Sequence, residues 1–480
     1  MGEFEIVVGL EIHAELNTHS KIFCGCKNEF GADPNTLCCP VCTGMPGTLP
    51  VLNEQVVERA IRMGHALHST IHNVTKMDRK NYFYPDLPKA YQISQFDVPI
   101  CEGGYLDVLV EGEVKRVGLT RIHMEEDAGK LVHDDATGNT LADYNRCGVP
   151  LIEIVSEPDI RSAEEAKAYM EGIANVLLYL GISDAKMQEG SMRADVNVSV
   201  RPMGQKELGT RAEMKNVNSF SAVYRAVQYE AERQIQMLRE GKEVQQETRR
   251  WDDAKNKSIL MRTKEDAQDY RYFPDPDQLT FVVDPALVQQ LATTIPELPA
   301  DRVLRYEQEY GILIKDAAQL CEKRERSDFF DAAVAEGKCD AKAISNWILG
   351  DISKLLNDSG KELEETALTT HNLVAMIALI DAGTISGSAA KKVLQHLLEK
   401  DVEPEKVAKD MGLLQISDTS MLEQVVNNVL AASPAAVADY KAGKTKVVGF
   451  LVGQCMKESK GQGNPGILKD LIEKAMEKLS

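Results

Sequence analysis

Residues 5–16, EIVVGLEIHAEL, constrain the fold of this chain more than any other stretch. After an apolar start the segment alternates. Glu11, His13 and Glu15 fall on one side of an extended backbone, and Leu10, Ile12 and Ala14 on the other. Successive strand side chains point to opposite faces, so the segment predicts a sheet with one dry face and one polar face. Residues 191–202, SMRADVNVSVRP, repeat the pattern, with Arg193, Asp195, Asn197 and Ser199 opposite Val196, Val198 and Val200. A half-exposed strand with a wet face would look the same, except that here the polar positions carry ionisable groups able to do chemistry.

A third segment, RIHMEEDAG at 121–129, places His123, Glu125, Glu126 and Asp127 within five positions. If it is extended, Glu125 and Asp127 share the face of His123 and Glu126 points away; if the strand bulges or ends, both glutamates reach one centre. Carboxylates crowded in this way repel one another, and a divalent cation with a phosphate-bearing substrate relieves that repulsion. Glu11 and His13 are expected to approach the same cation as Glu125 and Glu126. Residues 210–220, TRAEMKNVNSF, add Glu213 and Lys215 at another strand end. A sheet face bearing Arg193, Asp195, Glu213 and Lys215 suits a nucleotide with its metal ions.

Cys24 and Cys26 form a CxC pair and Cys39 and Cys42 a CxxC pair, joined by a loop of turn-forming residues. Such pairs predict a closed tetrahedral thiolate site for a structural zinc, with no position open to water. Cys38 is a spare thiol beside them. Residues 78–97, DRKNYFYPDLPKAYQISQFD, set Lys80, Tyr82 and Tyr84 between prolines, and cations with aromatic rings suit phosphates and bases. Residues 53–72 predict an amphipathic helix capped by Asn53, with His65, His68 and His72 on its surface. Ser162 and Glu165 predict a capping box opening a helix that Gly181 closes.

The net charge of −19 argues against a general nucleic-acid coat but leaves room for a local basic face. The last segment provides one: residues 406–480 carry ten lysines against eight acidic residues. Among them Lys441, Lys444, Lys446, Lys457 and Lys460 alternate with glycines that let the chain track a phosphate backbone. Prolines in TIPELPAD mark a boundary, so the expected domains are 1–294, a helical 295–405 and a small helical tail 406–480. No apolar run approaches the roughly 20 residues that span a bilayer. The acidic start lacks a cationic leader, and the ten cysteines are expected in a reducing, cytoplasmic setting. Walker-type loops, GxSxG elbows and HExxH helices are absent, so any nucleotide chemistry must use acidic ligands on a sheet.

The motifs GLEIHAEL, FCGC with CPVCTGMPGTLPVLN, DRKNYFYPDLPKAYQISQ, RIHMEEDAGK, NRCGVPLIEIVSEPD and GFLVGQCMKESKGQGNP closely resemble the GatB (B-type) subunits of the tRNA-dependent amidotransferases, over essentially the whole chain. The resemblance implies an α+β fold: a glutamine-synthetase-like curved antiparallel cradle, then a helical domain and a helical tail that contact tRNA. It implies ATP-dependent activation of the side-chain carboxylate of Glu-tRNA(Gln) or Asp-tRNA(Asn). Amidation follows, with ammonia from the A-type glutaminase partner, and a C-type partner ties the two together. By the same resemblance His13 and Glu126 are direct magnesium ligands, while Glu11 and Glu125 act through water or steer ammonia. Manganese is a plausible substitute given the imidazole. Lys80, Tyr82 and Tyr84 meet ATP or the tRNA terminus, and the basic tail meets the tRNA. The competing expectation is a non-catalytic, zinc-stabilised scaffold that only presents tRNA.

Overall fold

In the computed structural model, which describes residues 3–134, 136–263, 269–415, 419–441, 446–459 and 462–479, the alternating segment becomes the strand Phe4–Glu15. It lies well inside a ten-stranded sheet. Phe4–Glu15 pairs antiparallel with Met192–Pro202 on one side and with Pro150–Ser156 on the other. Pro150–Ser156 pairs in turn with Glu113–Glu126. On the far side the sheet continues through Ala212–Val217, Glu247–Asp252 and Lys257–Thr263. Its paired neighbours are antiparallel except Ala212–Val217 and Glu247–Asp252, which run parallel. The helix Phe220–Arg239 lies in the chain between those two strands, as a parallel connection requires.

The dry face gathers Val8, Leu10, Ile12 and Ala14 with Val196, Val198, Ile152, Ile154, Ile122 and Met124, all buried. Helices Glu54–Ala66, Ala163–Leu180 and Phe220–Arg239 pack into the same core. Burying each such aliphatic side chain contributes about 1.5–3 kcal/mol. A one-residue slip of Phe4–Glu15 would exchange this gain for Glu11 and His13 in hydrocarbon, so the register is strongly specified.

Ser162 caps Ala163–Leu180 by accepting from Glu165 N at 3.0 Å, and Gly181 ends the helix in the left-handed region at φ 64°. The returning half of the expected box is displaced by one residue. Glu165 Oε2 accepts from Arg161 N at 2.7 Å and not from Ser162. The helix expected over 53–72 stops at Ala66. His68 turns left-handed at φ 57°, and Thr70–Ile71 leaves as a strand that pairs with Cys101–Glu102. Strand pairing thus overrides the helical period, and the three histidines part company. His65 Nε2 lies 2.9 Å from Val288 O, His68 stacks on Tyr105, and His72 Nε2 lies 2.9 Å from Glu102 Oε2.

The chain divides into two units, Met1–Arg302 and Val303–Ser480. The described part of the second unit is helical, with one π-helical turn at Ile348–Ile352. Within it Thr419–Ala432, Pro434–Lys441, Val447–Glu458 and Pro465–Leu479 enclose their own core of Leu422, Val426, Leu451, Leu468 and Ile472. The architecture is therefore α+β with an antiparallel-rich sheet. No helix among the described residues is long and apolar enough to cross a membrane.

Candidate active site

Strand register sorts the polar side chains into rows. His123 stands opposite Glu153, Glu153 opposite His13, and His13 opposite Arg193. The neighbouring row runs Arg121, Val155, Glu11, Asp195. Facing residues on paired strands have Cβ atoms about 4.5–5.5 Å apart, close enough for side-chain heads to meet.

The heads do meet. His13 Nε2 lies 3.4 Å from both Glu125 Oε1 and Glu153 Oε2, and His123 Nε2 lies 3.1 Å from Glu153 Oε2. Ligand atoms of His13, Glu125 and Glu153 all fall within 4.8 Å of one another. His123, Glu125 and Glu153 are buried, and His123 Nδ1 has no hydrogen-bond partner among the described residues. Burial alone would lower the His13 imidazolium, but the Glu153 and Glu125 carboxylates outweigh it and push it up to about 9. Burial opposes ionisation of Glu153, yet His123 and His13 hold its carboxyl well below the usual range. The site thus holds concentrated negative charge with an imidazole beside it. That donor set fits a divalent cation of the magnesium or manganese kind.

A second cluster adjoins the first. Lys215 Nζ sits 2.6 Å from Asp195 Oδ2 and 2.9 Å from Glu213 Oε1. Asn197 Nδ2 donates to Glu11 Oε1 at 3.0 Å. Burial, with the charges of Glu153 and Asp195, raises the Glu11 carboxyl above its ordinary value. Burial disfavours the Lys215 ammonium, but Asp195 and Glu213 more than compensate and raise it. His13, His123 and Glu153 of the first cluster and Glu11, Asp195, Asn197, Glu213 and Lys215 of the second line one cavity of about 350 Å³. Among the described residues its wall carries the cations Lys80, Arg121, Arg211, Lys215 and Arg262 and the carboxylates Glu11, Glu153, Asp195, Glu213 and Glu247. That mixture suits a polyanion carrying its own cation.

The structure does not bring Glu126 to His13. The ladder between Glu113–Glu126 and Pro150–Ser156 stays regular from Glu126 to Arg121, so Glu126 points to the opposite side from Glu125. There its carboxylate meets Lys89 and accepts from Ile93 N at 2.9 Å. Glu153 occupies the position beside His13 that the resemblance gives to Glu126. Lys80 lines the cavity, with Nζ 3.9 Å from Glu125 Oε2. Tyr82 donates its hydroxyl to Gln92 Oε1 at 2.5 Å, and Tyr84 is exposed. Arg193 turns to Asp127 Oδ2 at 2.7 Å. Of the tail lysines, Lys446 and Lys457 are exposed. The side chain of Lys441, and Lys444 and Lys460, lie outside the described residues.

Glu153, Arg121, Arg211 and Arg262 were not singled out from the sequence. Glu153 did leave a signal: a lone carboxylate in the apolar run LIEIV.

The four sulfurs of Cys24, Cys26, Cys39 and Cys42 converge within 4.8 Å of one another. Cys38 stands apart, its Sγ 3.4 Å from Asn35 O. A hydrogen bond from Cys24, opposed by burial and aided by the Cys39 N–H at 3.1 Å, pulls the Cys42 thiol down, and the same bond pushes the Cys24 thiol up. An all-sulfur set converging in this way fits a structural zinc. Protein purified without chelator is expected to carry about one zinc per chain, and Cys39→Ala to lose most of it while Cys38→Ala does not. Elemental analysis checks this, and equal zinc in both variants would move the site.

Two family models match the chain. One is described as the GatB/GatE catalytic domain, over residues 6–289, and the other as the GatB domain, over residues 328–476. The aspartyl/glutamyl-tRNA(Asn/Gln) amidotransferase B-type subunit of Caldicellulosiruptor saccharolyticus is 52% identical over 480 residues, covering 99% of this chain and 100% of the relative. The protein of the same name from Carboxydothermus hydrogenoformans is 51% identical over 482 residues, and that from Brevibacillus brevis 50% identical over 479, each covering 100% of both chains.

Proposed function

The chain belongs to the GatB family of amidotransferase subunits, and from that premise we propose that its sheet is the transamidase centre of a tRNA-dependent amidotransferase. The observation that carries this reading is the meeting of His13, Glu125 and Glu153 beside a cation-lined cavity that His13 and Glu153 share with Glu11, Asp195 and Glu213. A free carboxylate resists ammonia because its charge repels nucleophiles and hydroxide leaves poorly. In the proposed reaction a side-chain carboxylate oxygen of Glu-tRNA(Gln) or Asp-tRNA(Asn) attacks the γ-phosphorus of ATP and ADP departs. Ammonia then attacks the acyl carbon, phosphate leaves, and a proton is lost as the amide forms.

Divalent ions, when bound, would neutralise charge on both reactants. His13, Glu125 and Glu153 would hold one, and Glu11, Asp195 and Glu213 are the acidic groups for the nucleotide side. Lys80, Arg121, Arg211 and Arg262 orient the phosphates, since charge-assisted donors bind them strongly. The sheet serves as the cradle of a glutamine-synthetase-like fold. Ammonia comes from the A-type glutaminase partner, the C-type partner joins the two, and the assembly works in the cytoplasm.

The test is the assembled enzyme supplied with ATP, magnesium and each mischarged tRNA in turn. Release of ADP that requires both the charged tRNA and the divalent ion supports the reading. Amidation that proceeds without ATP ends it. The segments 295–405 and 406–480 are assigned to tRNA contact. Lys446→Ala with Lys457→Ala is expected to weaken tRNA binding and reduce the slope of log affinity against log salt by about 1 per lysine. An unchanged slope in filter binding would place the tRNA elsewhere.

A further inference from the structure

Lys21 is buried to 0% exposure, and among the described residues it is the one lysine so enclosed. It stands at the base of the first cysteine pair, where its backbone N–H donates to Cys26 O at 3.0 Å. Its side chain crosses to the second pair, and Nζ reaches Cys42 Sγ at 3.8 Å. That sulfur is the one hydrogen-bond partner found for the ammonium among the described residues, and no carboxylate pairs with it there. The stem passes Gly148, where an added Cβ would lie 3.6 Å from Lys21 Cδ, 3.4 Å from Cys42 Cβ and 3.9 Å from Glu126 Oε2. Lys21 therefore fills the seam between the cysteine cluster and the wall that carries Glu126.

Two deficits meet at this seam. A buried ammonium costs several kcal/mol unless it is closely paired, and a single sulfur 3.8 Å away is a long, weak partner for it. Four thiolates around a divalent ion carry two surplus negative charges, which a dry site must also compensate. Each deficit is the remedy for the other.

We propose that Lys21 is the built-in counter-cation of a four-thiolate metal centre, donating to Cys42 Sγ and thereby setting how firmly the metal is held. The proposal rests on the cysteine cluster binding a divalent ion and goes beyond that reading by assigning the buried lysine. Lys21 is a positioning residue: it touches neither substrate nor the reacting atoms.

The experiment uses the full-length chain loaded with zinc and a chromophoric chelator in competition. Lys21→Met keeps the stem and removes the charge. Partners that support a ligand from outside the coordination sphere typically govern 10- to 100-fold in metal affinity, so a loss of about that size is expected. Metal-free Lys21→Met is expected to unfold at the same temperature as the metal-free parent or higher, because the buried charge is gone. A lysine that only filled space would leave zinc affinity unchanged, and that result overturns the proposal.

If Lys21→Met fails to fold, amine acetylation of the unaltered protein, read by mass spectrometry, decides. Lys21 is expected to be protected when zinc is bound and modified after chelation. Equal modification in both states overturns the proposal. A parent chain that takes up neither zinc nor cobalt overturns the metal-centre reading itself, and the two failures are distinguished by that control.

Discussion

Glu153→Gln in the assembled enzyme is expected to lower ATP-dependent transamidation on the order of a thousandfold while glutamine hydrolysis is retained, since removing one electrostatic stabiliser of a developing charge costs about 10²–10³ in rate. Glu153 is the hub of the polar row. It lies 3.4 Å from His13 Nε2 and 3.1 Å from His123 Nε2, and it is buried, so no water replaces its charge. The amide keeps the shape and removes the anion. ADP release measured against magnesium concentration is the informative readout, because loss of a ligand shifts the metal requirement as well as the rate. Glu126→Gln is the comparison. If its magnesium requirement shifts and that of Glu153→Gln does not, the cation sits on the Glu126 side and the assignment of Glu153 fails.

Lys89→Met is expected to destabilise the first unit by about 3–5 kcal/mol, because removing one partner of a buried ion pair leaves the other charge uncompensated. Glu126 is buried, and burial already pushes its carboxyl up against the pull of Lys89. Adding Glu126→Gln to Lys89→Met is expected to recover most of the loss, since the stranded anion is then absent. Urea unfolding followed by the fluorescence of buried Trp251, with Trp347 replaced, measures both steps. A Lys89→Met chain as stable as its parent would mean that Glu126 is protonated or solvated, and the pair would lose its structural meaning.

What the sequence revealed, and what it hid, follows from how local each interaction is. The faces of Phe4–Glu15 and Met192–Pro202 were legible because strand alternation depends only on neighbouring residues. Glu11, His13 and Asp195 could be placed on one side in that way. The direction of Glu126 could not, because it turns on whether the ladder to Pro150–Ser156 bulges, and that is settled by a partner far along the chain. Glu153 escaped for the same reason. Its carboxylate was conspicuous in LIEIV, but nothing local says that this strand lies between Phe4–Glu15 and Glu113–Glu126. The helix over 53–72 was overextended because an apolar period continues past Ala66 while Thr70–Ile71 finds a strand partner. The four cysteines converge as their spacing suggested, since short-range pairs joined by a turn-rich loop leave few other arrangements.

The interior position of Phe4–Glu15 also matters on the ribosome. Glu15 pairs with Leu151, and Phe4 with Pro202, yet this strand is made well before both of its partners. At a synthesis rate of about 5–20 residues per second, on the order of 10 s passes before either neighbour exists. Until then the Ile6–Val7–Val8 stretch is an unpaired apolar ribbon, a target for holding chaperones and for wrong neighbours alike. Substitutions in this ribbon should therefore be felt in nascent-chain yield as well as in the melting point of the finished fold, where Val7 and Val8 are buried.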